Sequence, residues 1–472
     1  MTTLRFHGSA AVLLLPLALF VAVTARLFIS EAAFDLTGLA AAGVLTLFSG
    51  SLLAKAPSEY WKAAVRGASS ELTGTVVLIL IASGIFSAMM KASGVADGLV
   101  FLGGMLHLTG QAFTVFVLLA SSLMAAATGS SIGTLLAAMP IFFPAGVALG
   151  ADPAMLAGAV LSGAIFGDNL APVSDVTVIS SVTQRFRDGT PADIAGVVRT
   201  RLPYAMTALA VSMPVYAFMG ASRPVSEAAL SGDASALLML VPVAVLIAVA
   251  VRTRDVLMAI SAGTVTGTAT GLLIGRLSFA TIFAADDGRL SGFLISGISN
   301  VSPIILLCVT LFAFTGIVRE AGVPDMMAKA LEAGSAGRPS ALRTELFLSA
   351  ATLVVTTLFA AVTSASVALV GSLTDDIGRA SNVHPYRRSH ILSGLANSLP
   401  VLMPFSAFVL ITMAAVSGLE GAAAVTPFTL MTAAFYPIAL FLVFGFMVLT
   451  GTGRMMETPE PEAAEAKTAT AL

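Results

Sequence analysis

The sequence has few charged residues and a single cysteine. Only 11% of its 472 residues are charged, whereas a soluble globular domain carries about 25%, so a soluble fold is excluded. Cys308 is the only cysteine, which excludes an intrachain disulfide and a thiolate metal cluster. With a net charge of −2 and no basic stripe, the chain also lacks the electrostatic footprint of a nucleic-acid binder.

Sequence signatures of nucleotide hydrolysis and of zinc peptidases are missing too. Neither a Walker A motif nor H-E-x-x-H occurs, and both reactions depend on those residue sets. The histidines His107, His384 and His390 stand near expected loops, and Asp375 and Asp376 stand at a segment end, so we assign none of them a role. We predict that the chain is not an enzyme and holds no resident cofactor.

Long apolar runs dominate the sequence. Hydrophobic residues make up 57% of the chain, and the mean hydropathy is +0.96. The runs are about 17 to 25 residues long, which is the length that a helix needs to cross about 30 Å of hydrocarbon. Residues 76–81 and 438–447 are apolar on every face, unlike the alternating strands of a barrel. We therefore predict an all-α polytopic membrane protein whose main partner is the lipid bilayer.

About fourteen such segments can be recognised. They begin near residues 10, 35, 72, 112, 132, 155, 203, 235, 255, 293, 347, 365, 389 and 427. The first, after Arg5, has no clear A-x-A cleavage site and is taken as a spanning helix rather than a signal peptide. Gly, Pro or polar clusters interrupt several others, so we expect interrupted helices and re-entrant hairpins among about 10 to 14 membrane segments.

Basic residues cluster in the connections between these segments. The clusters cover residues 55–66, 185–201, 252–254, 319–343 and 379–388. If the N-terminus is inside, all five fall on one side of the membrane, and the positive-inside rule makes that side cytoplasmic. We expect a multi-pass protein of the cytoplasmic (inner) membrane with both termini in the cytoplasm, and the sequence is compatible with a homodimer.

The two halves of the sequence resemble each other. Three pairs of segments match: 91–97 with 319–325 and 169–173 with 397–401, both at an offset of 228, and, more weakly, 128–131 with 363–366. Matches at one offset indicate an internal repeat. The predicted units are a first transmembrane repeat (1–220), an inter-repeat loop (221–234), a second repeat (235–452) and a disordered cytoplasmic tail (453–472).

Seven segments per half is an odd number, so the second half enters the membrane inverted. Inverted repeats with interrupted helices are typical of secondary transporters, because two pseudosymmetric halves can open one site to each side in turn. The alternative is a duplication that serves packing alone.

Two acidic residues lie within an apolar segment, Asp168 and Asp175. Carboxylates at membrane depth are costly unless they line a wet cavity or bind a cation, so both are candidate ligands. Gly167 and Pro172 predict a break between them, because Pro172 has no amide hydrogen and frees the carbonyl of Asp168. Such oxygens suit a hard cation such as sodium, and a desolvated Asp can instead hold a proton. Competition between the two ions for one site is the basis of antiport.

Further oxygen and nitrogen ligands stand at the other predicted breaks. Residues 128–134, with two glycines and several hydroxyls, are expected to form an unwound stretch or hairpin tip. Asn397 and Ser398, followed by two prolines, form the counterpart break of the second half, where Ala396 occupies the position of Asp168. The candidate ligands besides the two acids are Asn169, Ser174, Thr177, Thr128, Ser130, Ser131, Asn397 and Ser398.

Structural roles remain as alternatives for most of these residues. Asp175 can cap the helix that resumes after it or lie at the membrane edge beside Arg185. Ser174 and Thr177 can bond to their own helix. The small residues of 128–134 also serve close helix packing in lipid.

Residues 167–177 (GDNLAPVSDVT) and 128–134 (TGSSIGT) resemble two motifs of the NhaC-type sodium/proton antiporter family, G-D-x-x-x-P-x-S-D-x-T and T-G-x-S-x-G-T, in the same order. The resemblance implies an inverted-repeat ion-transporter fold with scaffold and transport regions, and exchange of sodium for protons.

Our first hypothesis is therefore a cation/proton antiporter in which Asp168 and Asp175 alternately hold Na+ or protons. The second is a sodium- or proton-coupled carrier of a small organic anion or amino acid. The two hypotheses share a cation site and differ in whether an organic solute binds beside it.

Overall fold

The structure is a computed structural model of the chain. It describes residues 4–8, 10–27, 36–106, 108, 110–220, 234–253, 255–286, 289–322 and 340–457. Several predicted features lie outside the described residues: His107, Arg254, most of the inter-repeat loop (221–233), the end of the repeat match at 323–325, and residues 458–472 of the tail.

Most of the described residues are helical. The first half contains α1 (Leu14–Ala25), α2 (Leu36–Leu53), α3 (Pro57–Ala68), α4 (Glu71–Ser93), α5 (Val95–Met105), α6 (Gly110–Thr128), α7 (Ser131–Ala148), α8 (Pro153–Leu170), α9 (Asp175–Val182) and α10 (Ile194–Met219). The second half contains α11 (Leu240–Thr253), α12 (Val256–Leu273), α13 (Phe279–Ile282), α14 (Phe293–Glu320), α15 (Ala341–Leu358), α16 (Thr363–Ala380), α17 (Pro385–Ala396), α18 (Ala407–Val416), α19 (Pro427–Ala433) and α20 (Phe435–Thr450). Two short antiparallel strands, Ala284–Asp286 and Arg289–Ser291, form a hairpin before α14.

These helices confirm the predicted class of fold. In the described part of the chain, nine helices are long and apolar enough to cross a membrane, or up to eleven if each of two bent helix pairs is one span. The bent pairs join 385–402 with α18 and α19 with α20, each with an angle of 53°. The chain is a multi-pass α-helical membrane protein with interrupted helices.

Local sequence explains where many of these helices begin. Ser70, Asp152, Asp193 and Asp255 each precede a helix, and their side chains accept a hydrogen bond from a backbone N–H of its first turn. Such caps satisfy amide hydrogens that have no partner within the helix. Proline at the first position of α8 and α17 fits the same location, since its missing amide hydrogen is not needed there.

Glycines bring the helices that carry the predicted site into close contact. A Cβ on Gly163 would lie 2.4 Å from the Leu118 carbonyl oxygen, and one on Gly167 would lie 2.3 Å from that of Ser122. Small residues four apart let two helix backbones approach closely in lipid. Helix α8 is therefore held tightly against α6.

Four of the five basic clusters contact one another in pairs. Arg66 at the end of α3 forms an ion pair with Glu320 at the end of α14. Arg388 donates a hydrogen bond to the Arg185 carbonyl oxygen (2.7 Å), and Arg187 contacts Asn382. That all five clusters lie on one side of the membrane stays a prediction.

Three of the arginines are not loop residues, however. Arg201, Arg387 and Arg388 were predicted to lie in cytoplasmic connections, but each is fully buried in a helix. Arg387 and Arg388 are buried because carboxylates are buried with them: Glu345 accepts two hydrogen bonds from Arg387, at 2.9 and 3.1 Å, and Asp375 lies 2.8 Å from Arg388. His390, predicted near a loop, is also fully buried.

Candidate functional site

The predicted break between the two acidic residues is present. Helix α8 ends at Leu170, and α9 begins at Asp175, while the two continue as one span over residues 153–182. Ala171 and Ser174 both have extended backbone conformations, and Pro172 lies between them. The interruption places Asp168 in the last turn of one helix and Asp175 in the first turn of the next.

A second interruption packs against the first. Helix α6 ends at Thr128 and α7 begins at Ser131, so only Gly129 and Ser130 connect them. Gly129 has a φ of +68°, and a Cβ there would lie 2.7 Å from Val173 Cγ2 and 3.0 Å from Ser174 N. The Ser130 hydroxyl accepts a hydrogen bond from Gly133 N (3.1 Å) and caps α7.

Both interruptions open onto a cavity of about 170 Å³. The second half of the chain contributes the α15–α16 connection and the start of α18. The lining residues are Thr75, Val76, Ile79, Gly129, Ser130, Ser131, Ile132, Asp168, Ser174, Asp175, Val176, Cys308, Phe312, Ala361, Val362, Thr363, Ser364, Ala407, Phe408 and Ile411. A water needs only about 10 to 15 Å³ by this measure, so the cavity can hold a hydrated ion or a small organic molecule.

Asp168 and Asp175 meet this cavity with different exposures. Asp168 is only 4% exposed, and Ser131 Oγ donates a hydrogen bond to its Oδ2 (3.0 Å). Asp175 is exposed. Ser174 lies between them on the cavity wall and is fully buried. One cavity thus presents two carboxylates and at least two hydroxyls.

Three other predicted ligands lie near the cavity but do not line it. The Asn169 side chain donates to Tyr436 Oη (3.3 Å), while its Oδ1 has no described partner. Thr177 Oγ1 accepts a hydrogen bond from Arg201 (2.9 Å). Thr128 donates to the Met124 carbonyl oxygen of its own helix (3.0 Å).

The second-half residues Asn397 and Ser398 follow the end of α17 and are likewise outside the cavity lining. Both are fully buried. Ser398 Oγ donates to the Leu395 carbonyl oxygen (2.7 Å), whereas neither side-chain atom of Asn397 has a described partner. Asn397 is thus a buried amide with unused donors and acceptor.

Arg201 is the main residue that the sequence prediction missed. It lies in α10, fully buried, and its guanidinium donates to Thr177 Oγ1 and contacts Ser393 on α17. In sequence it appears two residues after Arg199, at the end of a polar connection, which favours a loop. Its distance of eight residues from the Asp193 cap places it two turns into the helix, and that spacing is the signal that could have located it.

Residues 129–133 also spell G-x-S-x-G, the pattern of a hydrolase nucleophile elbow. That motif requires a strand-to-helix turn, whereas here the residues join two helices. Ser131 donates its hydrogen bond to Asp168. The motif therefore gives no support for hydrolysis.

The donor set suits a hard cation. In the residues that the structure describes, no group of three or more His, Cys, Asp or Glu side chains comes together, as transition-metal sites require. Carboxylate, hydroxyl and backbone oxygens are ligands for hard cations.

The sequence model of the Na+/H+ antiporter family matches residues 3–221, which include both interruptions of the first half. The predicted resemblance to this antiporter family is confirmed.

Several curated proteins are similar to parts of this chain. A malate-2H+/Na+-lactate antiporter of Bacillus subtilis is 33% identical over 158 residues, covering 34% of this chain and 32% of that protein. The Na+/H+ antiporter NhaC of Alkalihalophilus pseudofirmus is 40% identical over 104 residues, covering 21% of this chain and 22% of that protein. An uncharacterized Na+/H+ antiporter of Haemophilus influenzae is 23% identical over 324 residues, covering 62% and 67%. The first two matches thus span only about a third and a fifth of those relatives.

Two solved transporter structures have weak similarity to the fold. The YdaH transporter of Alcanivorax borkumensis has a TM-score of 0.40 and 12% identity, covering 83% of this chain and 88% of that one. MtrF of Neisseria gonorrhoeae has a TM-score of 0.39 and 12% identity, covering 92% and 95%. No conclusion about this chain rests on scores this low.

Proposed function

We propose that this antiporter relative exchanges Na+ for protons across the cytoplasmic membrane. The observation that carries the proposal is the convergence of Asp168 and Asp175 on one cavity at a helix interruption. Membrane-embedded carboxylates at broken helices are the usual construction of an ion-coupling site. The family match and the name of the NhaC relative support the same ions.

The proposed exchange depends on competition at the two carboxylates. With Na+ bound, Asp168 and Asp175 are ionised and supply oxygen ligands, and Ser131 and Ser174 are placed to complete the shell. When protons bind, the carboxylates lose their negative charge and no longer hold the cation. Because the site cannot hold both ions at once, protons that move down their gradient in one direction drive Na+ in the opposite direction.

In this proposal the remaining predicted ligands do not contact the cation directly but lie around the residues that do. Asn169, Thr177 and Thr128 surround the interruptions, and Asn397 and Ser398 follow the corresponding helix end of the second half. The proposal includes an orientation of the chain in which both termini and the basic clusters face the cytoplasm.

A second candidate, coupled transport of a small organic anion, is favoured by one specific observation. Arg201 supplies the buried positive charge that an anion would need near the cation site. The relative whose name includes malate and lactate is consistent with this candidate.

Purified protein in liposomes with an imposed pH gradient and an internal pH dye tests the first candidate. We expect external Na+ to dissipate the gradient in the wild type and to have no effect in Asp168→Asn. Li+ and K+ additions measure the selectivity. A Na+ response that survives in Asp168→Asn, or its absence in the wild type, would contradict the proposal.

A further inference from the structure

A second cavity, of about 750 Å³, lies where α4 ends and α14 begins. The second strand of the hairpin and residues 417–419, just after α18, form its other walls. The ion pair between Arg66 and Glu320 lies at the opposite ends of α4 and α14. Hydroxyl and amide side chains such as Ser296 and Asn300 line the cavity. Its size and polarity suit a hydrated ion, since one water needs only about 10 to 15 Å³.

Helix α14 lines both this cavity and the cation cavity with one face. Ser296 and Asn300 line the second cavity, and Cys308 and Phe312 line the cation cavity. These positions follow one another at multiples of four residues, so they lie on one face of the helix. The two cavities are therefore successive openings along the same side of α14.

Helices α4 and α18 repeat this pattern. Residues within 75–79 of α4 line the cation cavity, and residues within 87–92 line the second cavity. The start of α18 (407–411) lines the first, and residues 417–419 line the second. The three helices also contact one another. One groove between α4, α14 and α18 thus runs from one cavity to the other.

A thin layer of buried residues separates the cavities along this groove. Ser83 of α4, Ile304 of α14 and Ala415 of α18 lie between the two sets of lining residues and line neither cavity. They are 3%, 0% and 7% exposed. Asn300 and Cys308 are separated by about 12 Å along α14 at the usual rise per residue. The closed part of the groove is therefore only about two helical turns long.

Two of the three helices are held together beside this layer. A Cβ on Gly84 would lie 2.4 Å from the Gly297 carbonyl oxygen, so α4 and α14 are in backbone contact. Helix α18 instead belongs to a bent helix pair. Lys91 of α4 donates a hydrogen bond to the Gly418 carbonyl oxygen, just after α18. Opening of the groove thus requires α18 to move away from α4 and α14 and this hydrogen bond to break.

We propose that this groove, opened by a movement of α18, is the route by which the transported cation passes between the cation cavity and the hairpin side of the membrane. The second cavity is its vestibule, and Ser83, Ile304 and Ala415 form its gate. Exchange requires access to the site from both sides. The proposal rests on the cation site described under Proposed function and adds one of the two paths to it.

Cysteine accessibility tests the route. In a Cys308→Ala background, the impermeant cationic thiol reagent MTSET is added on the hairpin side. We expect Ser296→Cys, in the vestibule, to react in every condition and its modification to stop exchange. Ile304→Cys, in the gate, should react only during transport, with a pH gradient and Na+, Li+ or K+ present. The three cations make this test independent of which of them is carried.

Leu306→Cys is the matched control. Leu306 is 48% exposed on the same helix and lines neither cavity, so its cysteine should stay unreactive during transport. Equal labelling of both variants, or an active Ile304→Cys that never reacts, would overturn the route. Unchanged exchange by fully modified Ser296→Cys would overturn the vestibule. Should Ile304→Cys fail to fold, Ala415→Cys in the same layer takes its place.

Lys91→Gln tests the movement of α18. Because this change removes the hydrogen bond to Gly418, it should raise the labelling rate of Ile304→Cys about threefold. Lys91→Arg, which retains a donor, should label at the original rate. An unchanged rate in Lys91→Gln would contradict opening by a movement of α18. Failure of Na+ alone to drive exchange in the wild type would contradict the proposed function and leave the labelling pattern to decide the route.

Discussion

The contact between Ser131 and Asp168 is the most specific link between the two interruptions. Ser131 is the first residue of α7. Its hydroxyl donates a hydrogen bond to the carboxylate of Asp168, which lies in the last turn of α8. An ionised carboxylate has about four acceptor positions, so one hydrogen bond leaves room for a cation. The serine thus stabilises the ionised carboxylate and, in the proposed exchange, contributes a ligand to Na+.

Ser131→Ala should therefore weaken Na+ binding without abolishing exchange. A hydrogen bond to a charged group contributes about 1.5 kcal/mol or more, which corresponds to about a tenfold increase in the KM for Na+. The Na+ dependence of gradient dissipation in liposomes measures this change. Ser122→Ala is the matched control, because the Ser122 hydroxyl bonds only to the Leu118 carbonyl oxygen of its own helix (2.7 Å). Equal KM values for both variants would contradict the role of Ser131.

The sequence could identify Asp168 and Asp175 but not Arg201. An acid in an apolar run is recognisable because burial makes it costly whatever its neighbours are. Arg201 is buried because Thr177 and Ser393, 24 and 192 residues away in sequence, supply acceptors for its guanidinium. Such a contact depends on tertiary packing, which local composition does not contain.

The α6–α7 connection and the α8–α9 interruption form one packed unit. Gly129 adopts a left-handed conformation and leaves no room for a side chain against Val173 and Ser174. This contact positions the Ser131 hydroxyl and the Asp168 carboxylate relative to each other.

Gly129→Ala should impair exchange much more than it impairs folding. The new Cβ would push the α6–α7 connection away from Ser174, in addition to a backbone strain of about 1 kcal/mol. Gly189→Ala separates the two effects, because Gly189 also has a positive φ (+87°) but has open space around it. We expect liposome activity to be lost in Gly129→Ala and kept in Gly189→Ala. Similar activity in both would show that the contact with Ser174 is unimportant.

The segment after α20 docks against the α16–α17 connection through His384. His384 N donates to the Met455 carbonyl oxygen (3.1 Å), and Glu457 N donates to that of Asn382 (2.8 Å). His384 Nδ1 accepts a hydrogen bond from Tyr386 N (3.2 Å), which requires the unprotonated ring. Burial lowers the pKa of His384 below its ordinary value of 6.5, with Glu457 opposing this effect and Arg388 adding to it.

Docking of residues 454–457 should weaken in acid. Because burial lowers the pKa of His384, the neutral ring stabilises the start of α17, against which the segment docks, fully above about pH 6.5, and this stabilisation is lost as the pH falls below that value. Hydrogen exchange of this segment, corrected for the intrinsic pH dependence of exchange, measures the effect. In His384→Asn, which keeps a helix cap that does not titrate, protection should not depend on pH. Unchanged protection of the wild type down to pH 5 would contradict this account.

Many helix starts could be predicted from hydropathy, but several shorter helices were missed, α3 and α5 among them. Predicted starts near 72, 112, 132, 155 and 255 lie within two residues of α4, α6, α7, α8 and α12. Helix α3 was missed because it is short and amphipathic, with Glu59 and Arg66 among its polar residues, and α5 because its 11 residues are too few to span a membrane. Apolar runs of membrane-spanning length can be recognised from composition, whereas the formation of short helices depends on packing against neighbouring segments.

The described part of the chain forms a multi-pass membrane protein in which the two halves line one cavity. Residues 129–132 and 168–176 of the first half face residues 361–364 and 407–411 of the second. This arrangement is what an inverted repeat predicts, and the repeat boundaries themselves stay a prediction. The cytoplasmic location of the basic clusters stays a prediction from the positive-inside rule.

Cysteine labelling tests that orientation. In a Cys308→Ala background, Leu290→Cys on the exposed strand hairpin should react with a membrane-impermeant maleimide in intact cells. Asp188→Cys, in the exposed connection between α9 and α10, should react only after the membrane is permeabilised. The reverse labelling pattern would place the basic clusters outside and contradict the predicted orientation.

Calorimetric titration of Na+ into the purified protein, in two buffers with different ionisation enthalpies, tests the central claim most directly. If Na+ and protons compete for Asp168 and Asp175, Na+ binding releases protons, and the apparent enthalpy depends on the buffer at a pH where the carboxylates are partly protonated. Asp168→Asn should bind Na+ weakly and release fewer protons. Na+ binding with no proton release at any pH, or with the same release in Asp168→Asn, would contradict competition at this site.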